Sequence, residues 1–488
     1  MTDELFSNYI GPKGENIDAL KRLMNIVLDF HAEWRRSFYK EDRTVFEVSE
    51  GYIKKMEDEL KKFLERSRSS LPYFHPRYAA QMVKDPPIPA VLAYISFMLS
   101  NPNNHAYEGG PVTTEMEMET IDLMVKFAGL EEGWGHLTSG GSLANMEALW
   151  AARDFYEGGT VCFSEVSHYS WKRICKILGI KDFREIAVDK YFRMDLNALE
   201  DELKKNKAMF VMANLGSTGS GSVDNIEGLL ELRRKYGFHL HIDAAYGGFI
   251  RSAILSEDYS VLPYSSQMSL KEYTYRQLAL LGQADSITID PHKHGMLSYG
   301  AGAVLYKNEA LRDVLLNTAP YTYHKKDKPN IGMFSLEGSR PGAMAAACWL
   351  TYKMLPPNIL GAGKLIRQSL ASSREFYEIL EKADSFKNLN DPDLDINCFY
   401  RNSAEKTIEA LNKNTLAIYN RLSVETADPE YIISKFVLPP SIAKTVLPDY
   451  SNNSKENFSA LRTVFMKHWS AENDFYYIKE LIGALEKE

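Results

Sequence analysis

Between Thr138 and Leu305 the sequence repeats one unit, a short apolar run followed by a helical stretch, and this alternation leaves few folds open to it. The runs are VCFSEV at 161–166, REIAV at 184–188, MFVMANLG at 209–216, HLHIDAAY at 239–246, SITIDPH at 286–292 and GAVLYK at 302–307. Strands apolar on both faces need cover on both faces, and helices lying between successive strands supply it. The pattern predicts an α/β fold, a mostly parallel sheet with helices on both faces. Ligands of such sheets bind beyond the carboxyl ends of the strands. Polar residues gather there in this chain.

The flanks read differently. From Asn16 to Arg68 apolar positions such as Leu20, Leu23, Met24, Val27 and Phe30 recur at helical spacing, which predicts an amphipathic helical arm. Prolines and aromatics in LPYFHPRYAAQMVKDPPIP suggest a connecting segment from Leu71 to about Pro102. A helix is expected from Thr114, where the acidic start TTEMEME suits the positive end of a helix dipole, and another after Gly342. INCFYR and KFVLPPS then belong to an α+β remainder. The expected division is 1–85 for the helical arm and connecting segment, 86–345 for a large cofactor-binding domain and 346–488 for a small C-terminal domain.

Charge and cysteine usage narrow the class of partner. A net charge of −8 gives no basic footprint for nucleic acid, so a small-molecule substrate is expected. The four cysteines, Cys162, Cys175, Cys348 and Cys398, form no CxxC, which argues against a disulfide framework and a thiolate zinc site and suits a reducing cytosol. The start MTDELFSNYIGPKGEN lacks the basic and apolar parts of a signal peptide, and no stretch has eighteen uninterrupted apolar residues. A soluble, cytoplasmic protein with no membrane partner is expected.

Two residues carry the chemistry. Lys293 in SITIDPHKHG and Asp243 in HLHIDAAYGG are the types that a pyridoxal phosphate site needs, a lysine to hold the aldehyde as a Schiff base and a carboxylate to keep the pyridine nitrogen protonated. Ala245 shares a face of extended chain with Asp243 and leaves room for a ring. In TSGGSLANMEALWAAR, Gly141 and Ser142 stand directly before a helix, where backbone amides could hold a phosphate; an ordinary serine-capped glycine turn reads the same way. His168 could stack on a flat cofactor or simply cap a helix. The pairs His239/His241 and His292/His294 invite a metal reading, but no third ligand type accompanies either pair, so no metal is expected.

A series of motifs extends this reading over most of the chain: IGPKGEN, YFHPRYAAQM, NPNNHAYEGGPVTTEMEME, GWGHLTSGGSLANMEALWAAR, HIDAAYGG, TIDPHKHG and LEGSRPGA, in that order. The chain resembles the group II pyridoxal phosphate decarboxylases, most closely the bacterial tyrosine decarboxylase branch. The resemblance implies a fold-type I enzyme, like the aspartate aminotransferases, working as a homodimer with each active site at the subunit interface. It implies phosphate contacts from Gly141, Ser142 and His292, ring stacking by His168, ring contacts from Asp243, Ala245 and Thr218, and the Schiff base on Lys293. Arg462 in SALRTVFMKHW is similar to an arginine that receives the substrate carboxylate. A tyrosine on a mobile loop protonates the α-carbon in relatives, and among Tyr299, Tyr321 and Tyr323 the first two are the favoured matches.

The implied activity is α-decarboxylation of an L-amino acid to a primary amine and carbon dioxide. Tyr73, Phe74, His75 and Asn104 fall where relatives line the substrate pocket, and aromatic walls suit tyrosine or a related ring. Lys467, five residues after Arg462, departs from the expected pattern. If it faces the pocket it could pair with a second acid group, turning specificity toward aspartate, glutamate or cysteate; otherwise it is a solvated lysine outside the site. Diversion to an aldehyde synthase and a non-catalytic scaffold are the further alternatives.

Overall fold

The computed structural model describes residues 2–316 and 330–487. Its centre is a seven-stranded sheet in the order β1-β7-β6-β5-β4-β2-β3. The strands are β1 (Trp134–Thr138), β2 (Thr160–Ser164), β3 (Phe183–Ile186), β4 (Ala208–Asn214), β5 (His239–Ala244), β6 (Ser286–Ile289) and β7 (Gly302–Tyr306). Every residue of β2, β4, β5, β6 and β7 is buried, the outcome required when consecutive positions are apolar and both faces are covered. Neighbouring strands from β3 to β6 pair in parallel, while β7 runs antiparallel to both β6 and β1.

Register puts the polar strand ends side by side. Asn214 of β4 stands opposite Asp243 of β5, and Asp243 opposite Thr288 of β6, so the chain after β6 delivers Asp290 to the same edge. Strand β1, which the repeat pattern did not reveal, ends with Thr138 opposite Gly302 of β7. It thereby carries the glycine turn of residues 139–141 to that edge too. A second sheet, antiparallel in the order β10-β11-β9-β8, follows: β8 (Phe386–Asn388), β9 (Ile396–Arg401), β10 (Ser434–Leu438) and β11 (Phe458–Val464).

Two details of the flanks correct the sequence reading. The single arm expected from Asn16 to Arg68 is two helices, Ile17–Ser37 and Glu50–Ser67, and Ser49 caps the second by accepting from the Tyr52 amide. The expected connecting segment contains a helix, Ile88–Met98, packed on the helix Gly342–Met354. Proline at its second position suits a helix start, where no intrahelical acceptor is needed. Helix Glu50–Ser67 buries no residue at all, and apolar side chains such as Phe30, Phe46 and Phe63 stand exposed along the arm. None of the described helices is long and apolar enough to cross a membrane.

Candidate active site

A cavity of about 360 Å³ opens at the carboxyl ends of β4, β5 and β6, facing the first turn of helix Gly141–Phe155. Asp243, Ala245, His168, Thr218, His292 and Lys293 all line it, with Gly141 and Ser142. The first amides of a helix have no intrahelical acceptor, and the dipole makes that end positive, so Gly141 and Ser142 offer an anion cradle. A side chain at 141 would be crowded: its Cβ would lie 3.0 Å from Asp290 Oδ2 and 3.2 Å from Ala245 Cβ, so those neighbours would have to give way. The preceding Gly140 has φ of +152°, a conformation that L side chains rarely adopt.

Each polar side chain in the cavity is fixed by its neighbours. Asp243 Oδ2 accepts from Asn145 Nδ2 at 2.8 Å and from Trp171 Nε1 at 3.1 Å, while Oδ1 accepts from the Ala245 amide at 3.2 Å. Charge on this buried carboxylate is thus met by three donors, and its exposed remainder faces the cavity. His168 Nδ1 accepts from the Ser170 amide at 3.3 Å and lies 2.7 Å from Ser170 Oγ, so the ring proton sits on Nε2. Burial holds its pKa below the usual imidazole value, so a neutral flat ring is presented. His292 Nδ1 donates to the Ala301 carbonyl at 2.5 Å.

Lys293 Nζ lies 3.0 Å from Asp290 Oδ2. Asp290 is 2 % exposed and its Oδ1 has no hydrogen-bond partner among the described residues. A carboxylate so placed holds the ammonium at the cavity wall, within reach of an incoming aldehyde. These residues fit pyridoxal phosphate: an amine for the aldehyde, a carboxylate for the ring nitrogen, small and flat residues for the ring faces, and free helix amides for the phosphate. Sequence reasoning did not assign roles to Asp290, Asn145 or Trp171. Asn145 could have been found, since it stands four residues after Gly141 and so on the same helical face.

A second cavity, of about 570 Å³, shares His168, Tyr169, Thr218 and Lys293 with the first. Its far wall is mostly apolar, built by Phe436, Val437, Leu438, Pro439 and Ile442 of β10 and the helix after it, with Ser434 and Lys435 of the same strand at its edge. Arg462, on β11, reaches it from behind. Its guanidinium donates to the carbonyls of Gly219, Ala80 and Thr218 and to Ser434 Oγ, at 2.8 to 3.1 Å. All four acceptors are neutral and, among the described residues, no carboxylate forms a direct ion pair with this buried cation; burial pulls its pKa below the usual guanidinium value, with Asp395 opposing the shift. Four of five N–H groups are engaged, which leaves one for a ligand. Tyr299 lines the same cavity, its ring 4.7 Å from that of His292 and its hydroxyl donating to the Met82 carbonyl at 3.1 Å.

The remaining expected residues lie elsewhere. Lys467 is neither solvated nor in the pocket: it is 1 % exposed, its Nζ has no hydrogen-bond partner among the described residues and lies over the Tyr78 ring at 4.8 Å, and it lines neither cavity. After Val464 the chain leaves the sheet and turns inward, so spacing from Arg462 does not carry over to it. Burial pushes its ammonium down to about 7. Asn104 is also corrected, since it is wholly buried and bonded to Glu117 and Thr113, away from both cavities. Tyr73 and Phe74 are about half exposed and His75 packs on Tyr477; none of the three lines either cavity. Tyr321 and Tyr323 lie outside the described residues.

Known proteins resemble this chain over most of its length. A family model described as the pyridoxal-dependent decarboxylase conserved domain matches residues 50–401. The L-tyrosine decarboxylase of Enterococcus faecium is 28 % identical, covering 98 % of this chain and 98 % of its own. That of Levilactobacillus brevis is 30 % identical over 92 % of this chain and 88 % of its own. The L-aspartate decarboxylase of Thermococcus kodakarensis is 29 % identical over a shorter span, 74 % of this chain and 88 % of its own. The crystal structure of mouse CSAD shares the fold with a TM-score of 0.71 at 19 % identity, over 97 % of this chain and 98 % of that one.

Proposed function

The chain belongs to the pyridoxal-dependent decarboxylases, and from that premise we propose that its substrate is an aromatic L-amino acid, tyrosine foremost. The observation that carries this reading is the apolar wall from Phe436 to Ile442, set across the second cavity from Lys293. An aromatic side chain buried there gains the favourable transfer of its ring area. A second carboxylate would not meet Lys467, which lies outside the cavity, and Lys435 on the wall is exposed with its Nζ over the Tyr419 ring at 4.6 Å. Relatives named tyrosine decarboxylases align over nearly the whole chain, which supports the same choice.

Pyridoxal phosphate, when bound, supplies an electron-accepting ring joined to the substrate's amino group, which lets the α-carbon lose carbon dioxide. Lys293 would hold its aldehyde, Asp243 its ring nitrogen, and Gly141 and Ser142 its phosphate together with His292. His168 and Ala245 would take the two faces of the ring, and Thr218 its edge. Arg462 binds the substrate carboxylate end-on through its one free N–H, orienting the bond to be broken. The apolar wall from Phe436 to Ile442 lowers the polarity beside that bond. The replacing proton would come from a tyrosine hydroxyl, Tyr299 or Tyr321; burial raises the Tyr299 pKa, so Oη carries its proton near neutral pH.

The many exposed apolar side chains of the two arm helices favour a homodimer in which each arm covers the partner, because so much exposed apolar surface marks an interface. Four buried free thiols agree with a cytoplasmic setting. The test is direct: incubate purified holoenzyme with a panel of amino acids and measure carbon dioxide and amine. Tyrosine is expected to give tyramine. Activity confined to aspartate or glutamate would refute the substrate, and aldehyde with ammonia and oxygen uptake would refute the outcome.

A further inference from the structure

Behind Asp243, on the same face of β5, stand His241 and His239, two and four residues upstream. Both rings are wholly buried, and Phe210 stacks on each, at 5.2 Å from His239 and 5.4 Å from His241. Their nitrogens form a chain that crosses two strands and a helix: His239 Nε2 to Ser286 Oγ at 2.7 Å, Ser286 Oγ to His241 Nδ1 at 2.8 Å, His241 Nε2 to Asn145 Oδ1 at 3.0 Å, and Asn145 Nδ2 to Asp243 Oδ2 at 2.8 Å. Nothing in the decarboxylation itself uses the first four residues.

The direction of this chain is forced from its end. Asp243 Oδ2 already accepts from Trp171, whose indole only donates, so Asn145 must turn its amide N–H groups toward the carboxylate. Its oxygen then faces His241 Nε2, which must carry the ring proton. His241 Nδ1 is left bare and accepts from the Ser286 hydroxyl, whose lone pair receives His239 Nε2–H. His239 Nδ1, the nitrogen that this order leaves without a proton, has no partner among the described residues. Every donor along the line therefore points toward Asp243. Were His241 protonated on Nδ1 instead, its bare Nε2 would draw the Asn145 N–H groups and turn the amide oxygen onto the carboxylate.

We propose that His239, Ser286, His241 and Asn145 form a one-way hydrogen-bond relay that positions Asp243 and keeps it a charged acceptor for the cofactor ring nitrogen. The inference rests on the reading of Asp243 given above. The four are positioning residues, acting through Asp243, and neutrality of both imidazoles is part of the device: a second proton on His241 would break the order of donors. Apolar cover by Phe210 and Trp171 maintains it.

Nuclear magnetic resonance of apoprotein labelled with nitrogen-15 histidine tests the direction. The relay requires His241 and His239 protonated on Nε2 alone; a proton on Nδ1 of His241, or an imidazolium there near neutral pH, overturns it. In holoenzyme, His241→Leu is expected to shift the pH titration of the bound cofactor's visible absorbance and to lower kcat about 10- to 100-fold, with KM within about twofold. His241→Gln, which can donate to Asn145 and accept from Ser286, should recover most of both. A leucine variant matching wild type, or a glutamine variant no better than leucine, refutes the relay. Should the leucine variant fail to fold, the tautomers of the wild-type protein decide alone. A wild-type protein that bound no pyridoxal phosphate would overturn the reading on which the inference rests, a failure told apart because the tautomers are measured without cofactor.

Discussion

The two cavities that meet at Lys293 are built on different principles. The first is polar and tied down, with Asp243, His168 and Lys293 each held by specific partners at 2.7 to 3.3 Å. The second is walled on one side by mostly apolar side chains of β10 and the helix after it, and its most buried cation is Arg462. A site that must fix a cofactor needs geometry, while a site that must select a side chain needs shape and a counter-charge. The division predicts that damage to the first cavity abolishes chemistry and damage to the second redirects it.

The largest effect should come from Lys293→Ala. It removes the amine that both cavities share, and decarboxylation should fall by about a thousandfold or more, with loss of the visible absorbance of bound cofactor. Retained absorbance would place the attachment elsewhere. Arg462→Ala comes next. It removes the carboxylate partner and strands the buried Ala80 carbonyl with two part-buried carbonyls and a hydroxyl, so kcat/KM should fall about 100-fold and stability by about 2 kcal/mol, read by steady-state kinetics and urea unfolding. If the arginine were only structural, kcat/KM per folded molecule would stay at the wild-type value.

Acid should act on the wall behind the first cavity. Burial pushes the His239 pKa down to about 3, while the unfolded side chain titrates near its ordinary 6.5. The folded state therefore takes up no proton where the unfolded chain does. Its stability is whole above pH ~6.5 and declines as pH falls below that value; at pH ~5 the loss from this one ring is about 2 kcal/mol. His239→Phe should flatten that part of the pH profile of unfolding, and an unchanged profile would contradict it. The smallest effect belongs to the second cavity's wall: Phe436→Ala should lower kcat/KM for tyrosine about tenfold and leave poor substrates such as aspartate nearly as they were, narrowing the preference.

The same contrast explains what could be read in the sequence. Lys293, Asp243, His168 and the glycine turn each sit within a few residues of a strand end, where a local motif carries both the fold and the chemistry. The second cavity has no such signature. Gln81, Glu165 and Phe436 come together only because two sheets pack, and nothing local in KFVLPPS marks it as a wall facing Lys293. Lys467 and Asn104 misled for a related reason: sequence spacing places a residue along the chain, but burial depends on where the chain turns next. The arm divided at Ser49 because a polar cap there starts a new helix, a boundary that the surrounding apolar periodicity obscured.

The central claim is that a single amine, that of Lys293, carries the cofactor. Reducing the holoenzyme with borohydride, digesting it and locating the pyridoxyl group by mass spectrometry tests this most directly. The account predicts the modification on the peptide containing TIDPHKHG, at Lys293. A pyridoxyl group on Lys84, Lys467 or any other lysine, or on none, would contradict it.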